Sequence, residues 1–61
     1  MPNVTPEAQS FIATLDEALS AGNGELLSEL TFDAECEGLA DQIDLTWYEQ
    51  QAAQLILSQQ Q

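Results

Sequence analysis

The sequence predicts an all-α fold, a small bundle of three to four short helices around a single core. Three observations lead there. Apolar residues recur at spacings of three and four near both ends of the chain, which is the helical period. Residue types that start and stop helices bracket those stretches. No segment alternates apolar and polar residues as a strand would, and none carries a hairpin signal.

The first helix is predicted over 6–21. Thr5 supplies the cap, Pro6 takes the first helical position, and Glu7 sits where the helix dipole favours negative charge. Ala8, Phe11, Ile12, Leu15, Ala18 and Leu19 then form one apolar face, and Gly22-Asn23-Gly24 stops the helix. A second, two-turn helix is expected over 25–31, with Leu26, Leu27 and Leu30 apolar. A third over 32–44 would place Phe32, Cys36, Leu39, Ala40 and Ile43 within an arc of about 100°. It could merge with the second or kink near Gly38, a residue that costs about 1 kcal/mol in a helix interior relative to alanine. The last helix, 46–59, begins with Thr46 as cap and Glu49 three residues on, a capping-box pattern. Tyr48, Ala52, Leu55 and Ile56 form its stripe, flanked by Trp47 and Leu57.

At 61 residues the chain is read as one acidic helical domain, with residues 1–5 as an arm and 59–61 as a frayed glutamine tail. A chain this short buries only about 60% of the surface its unfolded form exposes, so its stability is thin. A homodimer through the Trp47, Tyr48, Leu55 and Ile56 face, or through the first helix, is one expected way to complete the core. No apolar run reaches the roughly 18 residues a membrane span requires, and the N-terminal residues lack a charged and apolar leader pattern. The expected location is cytoplasmic.

Charge is the property furthest from ordinary. The chain has eleven Asp and Glu residues, no Lys, Arg or His, and a formal net charge of -11. Roughly seven basic residues would be ordinary at this length. Without them the chain cannot neutralise phosphates, so direct binding to nucleic acid or to an anionic membrane is excluded. It also lacks the histidine, lysine and arginine that serve most proton-transfer, Schiff-base and oxyanion chemistry, so no enzyme and no cofactor are expected. The single cysteine, Cys36, reads as a small core residue, and it excludes an internal disulfide. A dense negative field steers a molecule toward basic surfaces and speeds its association with them.

Five of the acids lie in Phe32–Asp44. On a helix, Asp33, Glu37, Asp41 and Asp44 would share an arc of about 80° beside the apolar face. Like charges at i,i+4, as in Glu25/Glu29, Asp33/Glu37 and Glu37/Asp41, each destabilise a helix by about 0.2–0.5 kcal/mol. Such a row is expected to serve a partner. Its spacing of about 6 Å per i,i+4 step could meet basic groups set for alternate phosphates of one strand. In charge and size the chain resembles DNA-mimic proteins such as viral inhibitors of restriction and CRISPR nucleases. That resemblance implies an inhibitor or modulator in the basic groove of a DNA- or RNA-binding protein. The expected partner-binding residues are Glu25, Glu29, Asp33, Glu35, Glu37, Asp41 and Asp44.

Two other readings apply to the same residues. The acids could be a solvated surface on a non-catalytic accessory or adaptor subunit. Alternatively, residues 33–44 resemble an EF-hand calcium loop, with Asp33 first, Glu35 and Glu37 third and fifth, Gly38 sixth, Asp41 ninth and Asp44 twelfth. Glutamates at the third and fifth places and aspartate at the twelfth depart from that pattern.

Overall fold

The computed structural model describes residues 4–59. It contains three helices, α1 (Pro6–Ser20), α2 (Gly24–Cys36) and α3 (Leu45–Gln59). The central α2 packs on both neighbours, whereas α1 and α3 touch only slightly, giving principal extents of 41 × 18 × 17 Å. Among the described residues, no helix is long and apolar enough to cross a membrane.

α1 begins as its sequence dictates. The Thr5 hydroxyl accepts a bond from the Ala8 N–H at 3.2 Å, and Pro6 follows at the first turn. The end of α1 is a Schellman motif. Gly22, at φ +71°, lets its own N–H reach the Leu19 carbonyl while the Asn23 N–H reaches that of Ala18. Asn23 then starts the next helix, its side chain accepting from the Leu26 N–H at 3.2 Å. Gly24 therefore does not help to stop α1; it is the first residue of α2. It is buried, and a Cβ there would lie 2.9 Å from the Ala52 carbonyl oxygen, Leu55 Cβ and Ile56 Cγ1. Hydrogen there is what lets α2 lie directly on α3.

The expected helix over 32–44 does not form. Residues 32–36 instead continue the second helix, which is longer than the two turns anticipated. Gly38, at φ +77°, closes α2 with a second Schellman motif: the Gly38 N–H donates to Glu35 O and the Leu39 N–H to Ala34 O, both at 3.0 Å. The physical reasons are local. A left-handed glycine satisfies two end carbonyls, and ending there avoids a helical Glu37/Asp41 repulsion. Leu39 and Ile43 still reach the core, through a turn in place of a helix face. Phe32, Cys36 and Ala40 do not; all three are exposed, and Phe32 retains 65% of its accessible surface. Cys36 is thus a free, exposed thiol, not a core residue.

The cap of α3 also differs from expectation. Asp44 accepts from the Trp47 N–H at 3.2 Å, so Thr46 lies inside the helix that it was expected to start. An aspartate two residues earlier outcompetes the Thr46/Glu49 capping box because its short carboxylate reaches the third-residue N–H and also meets the positive end of the dipole.

The core is built from Ala8, Leu15, Ala18, Leu27, Ala34, Leu39, Ile43, Leu45, Tyr48 and Ala52, with Phe11, Ile12, Leu19, Leu30 and Leu55 packed against it. Three polar contacts tie distant segments over it. The Tyr48 hydroxyl donates to Asp16 Oδ1 at 2.6 Å, joining α3 to α1. Burial, that bond and the aspartate's charge together push the Tyr48 phenol up to about 12. The Thr5 N–H donates to Gln42 Oε1 at 2.8 Å, anchoring the 37–44 connection to the start of α1. Gln59, the last residue of α3, donates through Nε2 to the Gly22 carbonyl at 2.6 Å. Gln60 and Gln61 lie outside the described residues, as do residues 1–3 of the expected arm.

Tyr48 and Ala52 are buried, and Leu55 and Ile56 are half-buried where α2 lies over them. The face expected to pair two copies is therefore largely taken up within one chain. Trp47, 44% exposed, packs edge-on against the Tyr48 ring with centroids 5.0 Å apart.

Candidate partner-binding face

All eleven carboxylate residues are exposed, and no basic residue lies among them. The seven singled out by sequence fall into three groups. Glu25, Glu29 and Asp33 step along α2 at i,i+4 spacing, away from the side that carries Leu27, Thr31 and Ala34 into the core. Glu35, in the last turn of α2, faces across to Glu49 on α3. Glu37 and Asp41 lie on the 37–44 connection, and Asp44 is the cap of α3. The continuous helical row Asp33–Glu37–Asp41–Asp44 does not exist, because α2 ends before it is half complete.

Sequence reasoning missed the residue at the middle of this surface. Phe32 stands among Glu29, Asp33 and Ser28, the four lining one shallow surface hollow. Asp33 also borders a second hollow with Ser10, Phe11, Thr14 and Leu30, where α1 meets α2. A signal was present: one turn before and after Phe32 stand Ser28 and Cys36, while the acids Glu25 and Glu29 flank the same line. On a helix ending at Cys36 that places Phe32 outward.

The electrostatics at the end of α2 are adverse. The negative pole of the helix dipole there meets Asp33, Glu35 and Glu37, with no basic residue in the last turn. Across the gap, the Glu49 carboxyl lies within hydrogen-bonding reach of Glu35. That bond, then the Glu35 charge and then slight burial raise Glu49 above the 4.5 of an ordinary glutamate. A raised carboxyl pKa means the folded chain binds the proton more readily than the unfolded chain does. The stability this contributes is full below about pH 4.5 and is lost as pH rises through the raised value. Thermal melts followed by circular dichroism should therefore show a melting temperature that rises on acidification from about pH 7 to about pH 5. Glu49→Gln should remove part of that rise. A melting temperature that is flat or falls over this interval would contradict the shared-proton contact.

The calcium alternative finds little support in this arrangement. Residues 33–36 are helical, so the segment is not a loop from its first position, and Asp44 is engaged as a cap. Among the described residues, no group of three or more acids and cysteine is gathered so as to hold a metal ion.

No protein-family model, no curated protein and no solved structure matches this chain.

Proposed function

We propose that the chain is a non-catalytic inhibitor or modulator that carries the charge of a nucleic acid into the basic groove of a DNA- or RNA-binding protein. A nuclease or a CRISPR-type effector is the kind of partner meant. One observation carries the reading: all eleven carboxylates are exposed with no basic side chain to neutralise them, and Glu25, Glu29 and Asp33 step about 6 Å apart along α2, about the separation of alternate phosphates. A single strand of DNA presents one phosphate per roughly 3.4 Å. The adverse placement of Asp33, Glu35 and Glu37 at the negative end of α2 supports the same reading, since solubility alone does not require acids there.

Glu25, Glu29, Asp33 and Glu35 form the helical part of the docking face, and Glu37, Asp41 and Asp44 extend it along the connection. Attraction of this kind is distributed over many groups and screened by salt, because the Debye length shrinks to about 8 Å at physiological ionic strength. The test is a pull-down loaded at low salt and eluted in salt steps, followed by affinity measurements on the recovered partner. Binding should weaken by orders of magnitude between about 50 and 200 mM salt, and the partner's own nucleic acid should displace the chain. An affinity that does not change with ionic strength would overturn the proposal. It would favour an adaptor subunit docking through exposed Trp47 and Leu57.

A further inference from the structure

The proposed mimicry leaves open which form of nucleic acid is imitated, and two features of the docking face bear on this. The first is linear charge. Glu25, Glu29 and Asp33 step about 6 Å apart along α2, close to the separation of alternate phosphates of one strand, whereas a duplex carries one charge per roughly 1.7 Å of axis. The second is Phe32. A phenyl ring 65% exposed on a helix face of acids and small polar residues is no part of the core, and it lines one hollow with Ser28, Glu29 and Asp33. A duplex hides its base faces in the stack and offers only edges. A single strand offers flat, apolar base faces between phosphates, and its binding proteins take them on aromatic platforms within a basic groove.

Resting on the function proposed above, we propose that α2 imitates single-stranded nucleic acid, with Phe32 in place of an unstacked base and Glu25, Glu29 and Asp33 in place of its phosphates. The partner is then a single-strand-binding protein whose groove combines Lys and Arg with an exposed aromatic stacking platform. A second copy of this chain is a poor occupant of the face, because each copy would bring a charge of -11 and no cation. The ring and the charges complement one kind of surface, an apolar platform bordered by cations.

Displacement assays separate this inference from the broader one. The probes are a fluorescein-labelled oligo-dT strand on a purified single-strand-binding protein of the source cell, and a labelled duplex on a helix-turn-helix protein of the same cell. The wild-type chain should displace the strand at low salt and leave the duplex bound. Phe32→Ala should raise the half-displacing concentration by about tenfold to a hundredfold, the size of effect that alanine substitution of a base-stacking aromatic has. Phe32→Trp should restore displacement, whereas Phe32→Leu, apolar but without a ring, should not. Because Phe32 is exposed, these variants should melt like the wild type, and a circular dichroism melt checks it. Equal displacement by Phe32→Ala, or displacement of the duplex alone, overturns the single-strand inference and leaves charge mimicry standing. Displacement of neither probe at low salt also overturns the single-strand inference, and the salt dependence of the partner recovered by pull-down then decides the broader one.

Discussion

Replacing Gly24 by alanine should destabilise the domain by about 1–3 kcal/mol, although the same change at an exposed helical site would stabilise it by about 1. The sign reverses because of one close approach. The added methyl would stand 2.9 Å from the Ala52 carbonyl oxygen, and backbone cannot swing aside as a side-chain end can. Leu55 and Ile56 close the remaining space. Either α2 lifts from α3, which exposes Leu27 and Ala52, or the N-terminal turn of α2 unwinds, which breaks the Asn23 cap. A domain of this size holds only about 3–5 kcal/mol, so the variant should be partly unfolded near physiological temperature. Urea unfolding followed by Trp47 fluorescence measures the change. The control is Gly38→Ala. Its Cβ meets nothing within 4 Å, so that variant tests left-handed backbone strain alone. If Gly24→Ala melts at or above the wild-type temperature, the tight α2–α3 contact is not part of the fold in solution.

What could be read from sequence divides along the same line. α1 was legible because everything that specifies it is local: Thr5 caps, Pro6 opens, a three-and-four apolar spacing follows, and Gly22 closes. The apolar stripe of α3 was legible for the same reason. The span 32–44 was not, because the helical period fits it almost as well as the true arrangement does. Leu39 and Ile43 sit at helical spacing and are indeed buried, but they reach the core around the turn that Gly38 makes possible. Phe32, Cys36 and Ala40 share that spacing and are exposed, because periodicity cannot tell whether a glycine continues a helix or ends it. The expectation for the Gly22-Asn23-Gly24 triplet was right about a stop and blind to the division of labour. One glycine turns the chain, the asparagine caps the next helix, and the other glycine admits α3. That last role depends on a contact 28 residues away in Ala52, which no local pattern encodes. The candidate face shows the same contrast. Its acids were plain from composition, while the place of Phe32 among them depended on where α2 ends.

The charges of α2 permit a test in which stability and binding should move in opposite directions. Glu29→Gln, Asp33→Asn and Glu35→Gln combined remove three exposed acids without altering side-chain size. Folding should gain. The Glu29 charge lies one turn from both Glu25 and Asp33, and each such pair opposes the helix by about 0.2–0.5 kcal/mol. Asp33 and Glu35 stand at the negative pole of the helix, where each opposes folding by about 0.3–1 kcal/mol. Relief of about 1–3 kcal/mol should raise the melting temperature by at least several degrees, since a domain of 60–100 residues shifts by about 4–8 °C per kcal/mol. Binding should weaken. Three fewer charge contacts should cost about tenfold to a hundredfold in affinity at physiological salt, and the slope of log affinity against log salt should flatten by about one per charge removed. Calorimetric melts and salt-series titrations on one preparation read both quantities. A solvated surface with no partner predicts only the first change. A variant that melts higher and binds its partner as the wild type does would reduce these acids to solvation, because then nothing but water would have been using them.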